Sequence, residues 1–224
     1  MTLPISFQTK LRRIEKDIDE AEREFEASKN VDALASDITD VIVKLHLLLD
    51  RAMNQIWEKY NSRKAGSGKP NIYFPVTTSS ERFLSRLQKD QLHELHQKNA
   101  LLFQLLEQIQ PFHSENRWLE KLYFISSNRH ERDAAVSERK EITGIGIGKG
   151  QNLYIRHMTV SNGQIFFDGD ATNQTTGKKE PVRIEPTTVD RYLLEDLSIE
   201  AIPFARTSFR LTKTNLSKIF GSMK

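Results

Sequence analysis

The stretch IQPFHSENRWLEKLYFISSNRHERD, Ile109 to Asp133, sets Gln110 and Pro111 ahead of one apolar helical stripe and closes on an arginine-rich end. Proline has no amide proton and clashes with the preceding turn, so a helix must stop at Pro111 and a new one start beyond it. Its expected start is near Ser114, with Trp118, Leu119, Leu122, Tyr123 and Ile125 on the inward face. The chain is therefore read as helix, proline stop, helix at this point, the grammar of a bundle.

Upstream the same period holds. Phe7, Leu11, Ile14, Ile18, Ala21 and Phe25 step by threes and fours from an N-cap expected at Ser6, along a helix whose remaining positions are charged. A second helix is expected over Asp32 to Tyr60, and its broader stripe of Leu34, Ile38, Val41, Leu45, Leu48, Leu49, Ala52 and Ile56 makes it the central one. Residues 61 to 77 hold two prolines among turn formers, giving a loop with a short extended piece at Ile72 to Phe74. Thr78 and Glu81 have capping-box spacing, with Phe83, Leu84 and Leu87 turned inward behind them. A further helix is expected from Asp90, with Leu92, Leu95, Leu102, Leu105, Leu106 and Ile109 inward.

Near residue 140 the period changes. A polar stretch from Glu131 to Glu141 leads into ITGIGIGKG, where Ile145 and Ile147 alternate with glycines. Leu153 to Val160 and Gln164 to Asp168 flank Ser161-Asn162-Gly163, a hairpin signal. Val182 to Glu185 and Ser208 to Thr212 read as weaker strands, Val189 to Leu197 as a short helix or a strand, and Lys213 to Phe220 as a closing helix. The expected fold is α+β: an N-terminal bundle of four or five helices over residues 1–138, and over 141–224 a small β-rich unit carrying a C-terminal helix.

Composition limits function. The 224 residues include no cysteine, which excludes disulfides, thiolate metal sites and cysteine nucleophiles and fits a reducing compartment. No apolar run is long enough to span a membrane and MTLPISFQTKLRR has no apolar signal core, so a cytoplasmic location without a membrane partner is expected. Net charge is +3, and neither half is a basic module: Glu141 onward has eleven Lys/Arg against nine Asp/Glu, the rest twenty-two against twenty-one. A polyanion would therefore need local clusters such as Arg63, Lys64 and Lys69, or Arg129, Arg132, Arg139 and Lys140.

Three constellations carry candidate chemistry. The glycines at 144, 146, 148 and 150 follow polar sequence and precede a strand, whereas a dinucleotide loop needs the strand first and a helix after; a structural strand is the better reading. His93 and His96 stand at i and i+3, not the i and i+4 of a zinc helix, and read as a solvated face; no metal and no cofactor is expected. Arg86 and His93 would lie about two helical turns apart on one face. Leu122, Ser126 and His130 step by four, so His130 projects from the apolar side, either as a hydrogen-bonded core group or as a proton-transfer or phosphate-contact residue with Asn128, Arg129 and Arg132 as neighbouring donors.

The order Gln110-Pro111, Trp118-Leu119-x-x-Leu122 and Asn128-x-His130, after a loop ending Ile72-Tyr73-Phe74-Pro75, resembles a group of uncharacterised bacterial proteins that look like HEPN helical domains. Their segment runs roughly Gln-Pro-Tyr, a leucine-rich turn, then Asn-x-x-Lys-His-Arg. Here Asn128 to His130 is one residue shorter and Arg129 takes the lysine's place. The resemblance covers about residues 30 to 135. It implies a bundle, often dimeric, from a superfamily rich in RNA-cleaving toxins and defence proteins. That superfamily's nuclease pattern sets an arginine four to six residues before a histidine. Tyr123, Phe124 and Ile125 break it before His130, and only Arg86 and His93 approach its spacing. The leading expectation is a non-catalytic HEPN-like module that binds nucleic acid, nucleotide or a protein partner as a homodimer, in a defence or toxin–antitoxin setting. The alternatives are a metal-independent ribonuclease using His130 or Arg86/His93, and a structural scaffold.

Overall fold

The computed structural model describes residues 3–62, 69–128, 134–147, 151–161, 164–181 and 184–223. It is α+β, and the chain divides into two compact units, one of Met1–Val136 with Leu194–Lys224 and one of Ser137–Leu193.

The first unit is helical. α1 (Ile5–Ser28) buries the six apolar residues its period marks out, from Phe7 to Phe25. It starts at Pro4 and not Ser6: the Pro4 carbonyl accepts from the Phe7 and Gln8 amides at 2.9 and 3.0 Å, and a proline costs nothing where no amide partner exists. α2 (Val31–Tyr60) is capped by the Asn30 side chain, which accepts from the Ala33 amide, and it is the central helix, buried from Leu34 to Tyr60. α3 (Ser80–Lys89) is capped by Ser79, one residue later than the Thr78/Glu81 box, and Leu84 turns outward at 50% exposure while Phe83 and Leu87 are buried.

The single helix expected from Asp90 is broken in two. Gln91 takes a left-handed φ of 59°, α4 (Leu95–Lys98) is one turn, and Asn99 then caps α5 (Ala100–Gln108) by accepting from the Leu102 amide at 3.0 Å. Asn99 also donates to the Tyr60 hydroxyl and the Ser222 carbonyl, so the break ties together α5, the end of α2 and the end of the chain. A 3₁₀ turn at Ser114–Asn116 leads into α6 (Arg117–Asn128), which buries Trp118, Leu119, Leu122, Ile125 and Ser126 and leaves Tyr123 at 44% exposure.

The last helix corrects the expected division of the chain. α7 (Ala201–Ser222) absorbs the strand expected at Ser208 to Thr212 and belongs to the helical unit. Phe204, Ala205, Ser208, Phe209, Thr212, Leu216 and Ile219 are buried along it, a stripe stepping at helical spacing in which two hydroxyl residues interrupt the apolar pattern. Pro203 is tolerated because it falls in the first turn. Phe220 meets Phe7 edge to face at 4.8 Å, and Arg206 pairs with Asp19 and Glu22 of α1.

The second unit is therefore an insertion between α6 and α7. Where the chain leaves and re-enters the helical unit, the Glu195 amide donates to the Ala135 carbonyl at 2.9 Å, and the Ala134 amide donates to Thr39 of α2. β1 (Val136–Ile147) begins five residues before Glu141, and β5 (Ile184–Leu194) lies beside it. Charge conceals the start of β1: its residues from Glu138 to Glu141 are exposed, and Glu141 pairs with Arg191 across the two strands. β2 (Gln151–Ser161) and β3 (Gln164–Asn173) form the antiparallel hairpin, in register from Ser161↔Gln164 to Gln151↔Asn173 with a bulge between Ile155 and His157; Asn162 and Gly163 lie outside the described residues. The two-residue β4 (Lys179–Glu180) completes that sheet. Gly144 and Gly146 are strand residues of β1, not part of a phosphate loop, and the glycines at 148 and 150 lie outside the described residues.

Candidate functional site

A pocket of about 400 Å³ opens in the helical unit between α2, the extended residues Tyr73–Thr77, α3 and α6. Its wall at 72–77 has no strand partner and is held by side chains. The Phe74 amide donates to Asp50 at 2.8 Å, Asn54 donates to the Ile72 carbonyl, and Gln110, wholly buried, accepts from both the amide and the hydroxyl of Thr77 at 3.1 Å. The amide group of Gln110 is anchored in turn on the Leu106 carbonyl at 2.9 Å. Gln110 is thus the clamp that brings an irregular segment against the helices, a structural reason for the Gln-Pro step.

His46 and Asp50 sit one turn apart on α2 and form the floor. His46 Nδ1 lies 2.8 Å from the Ser126 hydroxyl, its Nε2 lies 3.8 Å from Asp50 Oδ1, and its ring meets Tyr123 at 88° with centroids 5.4 Å apart. Burial pushes the Asp50 carboxyl above its usual value, opposed by His46, the Phe74 amide and Arg86. Arg86 reaches the pocket from α3 while its Nε donates to Asp90 Oδ2 at 2.7 Å. Asp90 is raised too: its side chain is only 2% exposed, so burial outweighs the adjacent guanidinium and Lys89.

Serine, histidine and aspartate in this order suggest a nucleophile, but the geometry does not supply one. The Ser126 hydroxyl also donates to the Tyr123 carbonyl of its own helix at 3.0 Å, it is 5% exposed, and it sits inside a regular helix with no strained turn to present it. With that proton on the carbonyl, the serine oxygen is left to accept from His46 Nδ1–H.

Of the candidate site residues that are described, Arg86, His93 and Asn128, only Arg86 lines this pocket. His93 does not share its helix, because α3 ends at Lys89 and the chain turns at Gln91; His93 is exposed, and its carbonyl lies 2.9 Å from His96 Nδ1. Asn128 is the half-buried last residue of α6. His130, Arg129 and Arg132 lie outside the described residues, as do Arg63 and Lys64. Lys69 pairs with Glu58 and lies over the Trp57 ring at 5.0 Å.

Sequence reasoning missed a basic groove on the other flank of α2. Lys10, Arg13 and Lys16 of α1 face Lys44 and Arg51 of α2 around a cavity of about 420 Å³, with Asp17 as its acidic member. Lys44 is held by Asp17 at 3.1 Å, while Lys10, Arg13, Lys16 and Arg51 make no ion pair among the described residues. α1 and α2 run antiparallel here, and further along Asp37 is raised by burial and then by Glu24 and Asp40, so the seam turns from basic to acidic. Leu47, 41% exposed, lines both groove and pocket. The signals were present as His46/Asp50 at i, i+4 and Lys44/Arg51 at i, i+7, each pair on one side of an otherwise apolar helix. No helix among the described residues is long and apolar enough to cross a membrane. Compared with known proteins, the chain matches no family model, no curated protein and no solved structure.

Proposed function

We propose that the chain is a non-catalytic module that binds single-stranded nucleic acid along the groove between α1 and α2. The observation that supports this is the meeting of Lys10, Arg13, Lys16 and Arg51 on one cavity with no carboxylate partner of their own among the described residues. Cations left unpaired on a concave surface attract a polyanion and release its counterions. Their reach is short: Lys10 to Asp17 covers about 10 Å of helix at 1.5 Å per residue, room for a few phosphates and not for a long duplex track. In this reading the module is HEPN-like, acts as a homodimer inside the cell in a defence or toxin–antitoxin setting, and takes no metal. The experiment is anisotropy of a labelled single-stranded RNA with the purified chain, followed by gel analysis of the same RNA with and without EDTA. Binding with the RNA left intact supports the proposal. Absence of binding, or cleavage that survives EDTA, overturns it, the latter in favour of the ribonuclease reading. Light scattering checks the dimer.

A further inference from the structure

We propose that the pocket floored by His46 and Asp50 receives one unstacked nucleobase, held by its donor edge on the Asp50 carboxylate. The inference rests on the nucleic-acid reading above and assigns the groove to the phosphates and the pocket to a base. Charge separates the two. In the groove five cations face one carboxylate, whereas in the pocket the Arg86 guanidinium is already committed to Asp90 and stands near Asp50, leaving no surplus positive charge for a phosphate. What the pocket offers instead suits a flat, uncharged ring. Tyr73 and Tyr123 stand at its walls, 51% and 44% exposed, and its 400 Å³ lies within the range of small-ligand sites. Unstacked bases are held by aromatic side chains and by hydrogen bonds to their edges.

Asp50 selects among bases. A carboxylate has about four acceptor positions and no donor; one is taken by the Phe74 amide. Guanine presents adjacent N–H donors on one edge and satisfies such a group. Uracil flanks its single N–H with two carbonyls, which meet the carboxylate acceptor to acceptor. Leu47, common to both cavities, places the base site next to the groove.

The test uses the full chain and three probes: guanosine and uridine, which carry no phosphate, and a single-stranded RNA containing guanine. Guanosine should saturate the tyrosine fluorescence, with an affinity unchanged by salt and well above that of uridine. Tyr123→Ala, at an exposed position, should weaken guanosine by about 5- to 100-fold, the loss of one stacking contact. Asp50→Asn should remove the preference over uridine, with circular dichroism confirming that both variants fold. Saturable RNA binding that falls with salt, without saturable guanosine binding, overturns the base pocket and leaves the groove reading standing. Guanosine binding without tighter RNA binding supports the pocket and overturns the groove. No binding of any probe overturns both.

Discussion

Gln110→Ala is the substitution that tests how the pocket is built. The side chain is fully buried and makes three hydrogen bonds, two accepted from Thr77 and one donated to the Leu106 carbonyl. Each is worth about 0.5–1.5 kcal/mol net, and the Thr77 amide would be left without its acceptor. One methylene also leaves the core, adding about 0.8 kcal/mol. We expect a loss of about 3 kcal/mol, which for a unit of this size lowers the melting temperature by about 6–12 °C. The assay is urea unfolding followed by far-ultraviolet circular dichroism. Gln110→Glu is the companion: it keeps an acceptor for Thr77 but sets a carboxylate oxygen against the Leu106 carbonyl, so it should be least stable at neutral pH and recover on acidification as that carboxyl takes up a proton. A loss below about 0.5 kcal/mol for the alanine variant would refute the reasoning, because it would mean that residues 72–77 are held without the buried amide.

If the groove contacts about four phosphates of a single strand, the log–log salt slope should be near −2.8, so raising salt from about 50 to about 200 mM weakens binding about 50-fold. Arg13→Glu should weaken all RNA sequences alike and flatten that slope by roughly 0.7; an unchanged slope counts against the groove. Ile219→Ala on α7, at a fully buried position, should destabilise the helical unit by about 2–5 kcal/mol, and a neutral effect would argue against α7 as a bundle helix. Asp90 is held above its usual value by burial, so the native chain keeps that proton more tightly than the unfolded one. Its contribution favours the fold at low pH and is lost as pH rises through the raised native value. Asp90→Asn does not titrate, so its stability relative to the native chain should improve from about pH 4 to about pH 7, and parallel melting curves of constant separation would refute this.

What could be read from sequence was whatever one helix face could carry alone. α1 and α2 bury the stripes their period marks out, because each presents a continuous apolar face and an otherwise polar surround. The readings failed where tertiary contacts decide. Ser208 and Thr212 look like a strand locally, yet they sit on the buried face of α7 because Phe204, Phe209, Leu216 and Ile219 around them pack as a helix in the first unit. The break at Gln91 and Asn99 owes its stability to the end of α2 and the end of the chain, far away in sequence. The same distinction governs the candidate site. The pocket joins His46, Tyr73, Arg86 and Ser126, which span eighty residues, and hydrogen bonds far apart in sequence, from Ser126 to His46 and from residues 72–77 to Asp50, Asn54 and Gln110, help to make them neighbours. The groove pairs cations from two helices whose individual charge is unremarkable beside the acidic residues between them. An overall net charge of only +3 therefore says little about binding here: antiparallel packing of α1 on α2 sorts the charges, gathering basic side chains at one end of the seam and carboxylates at the other.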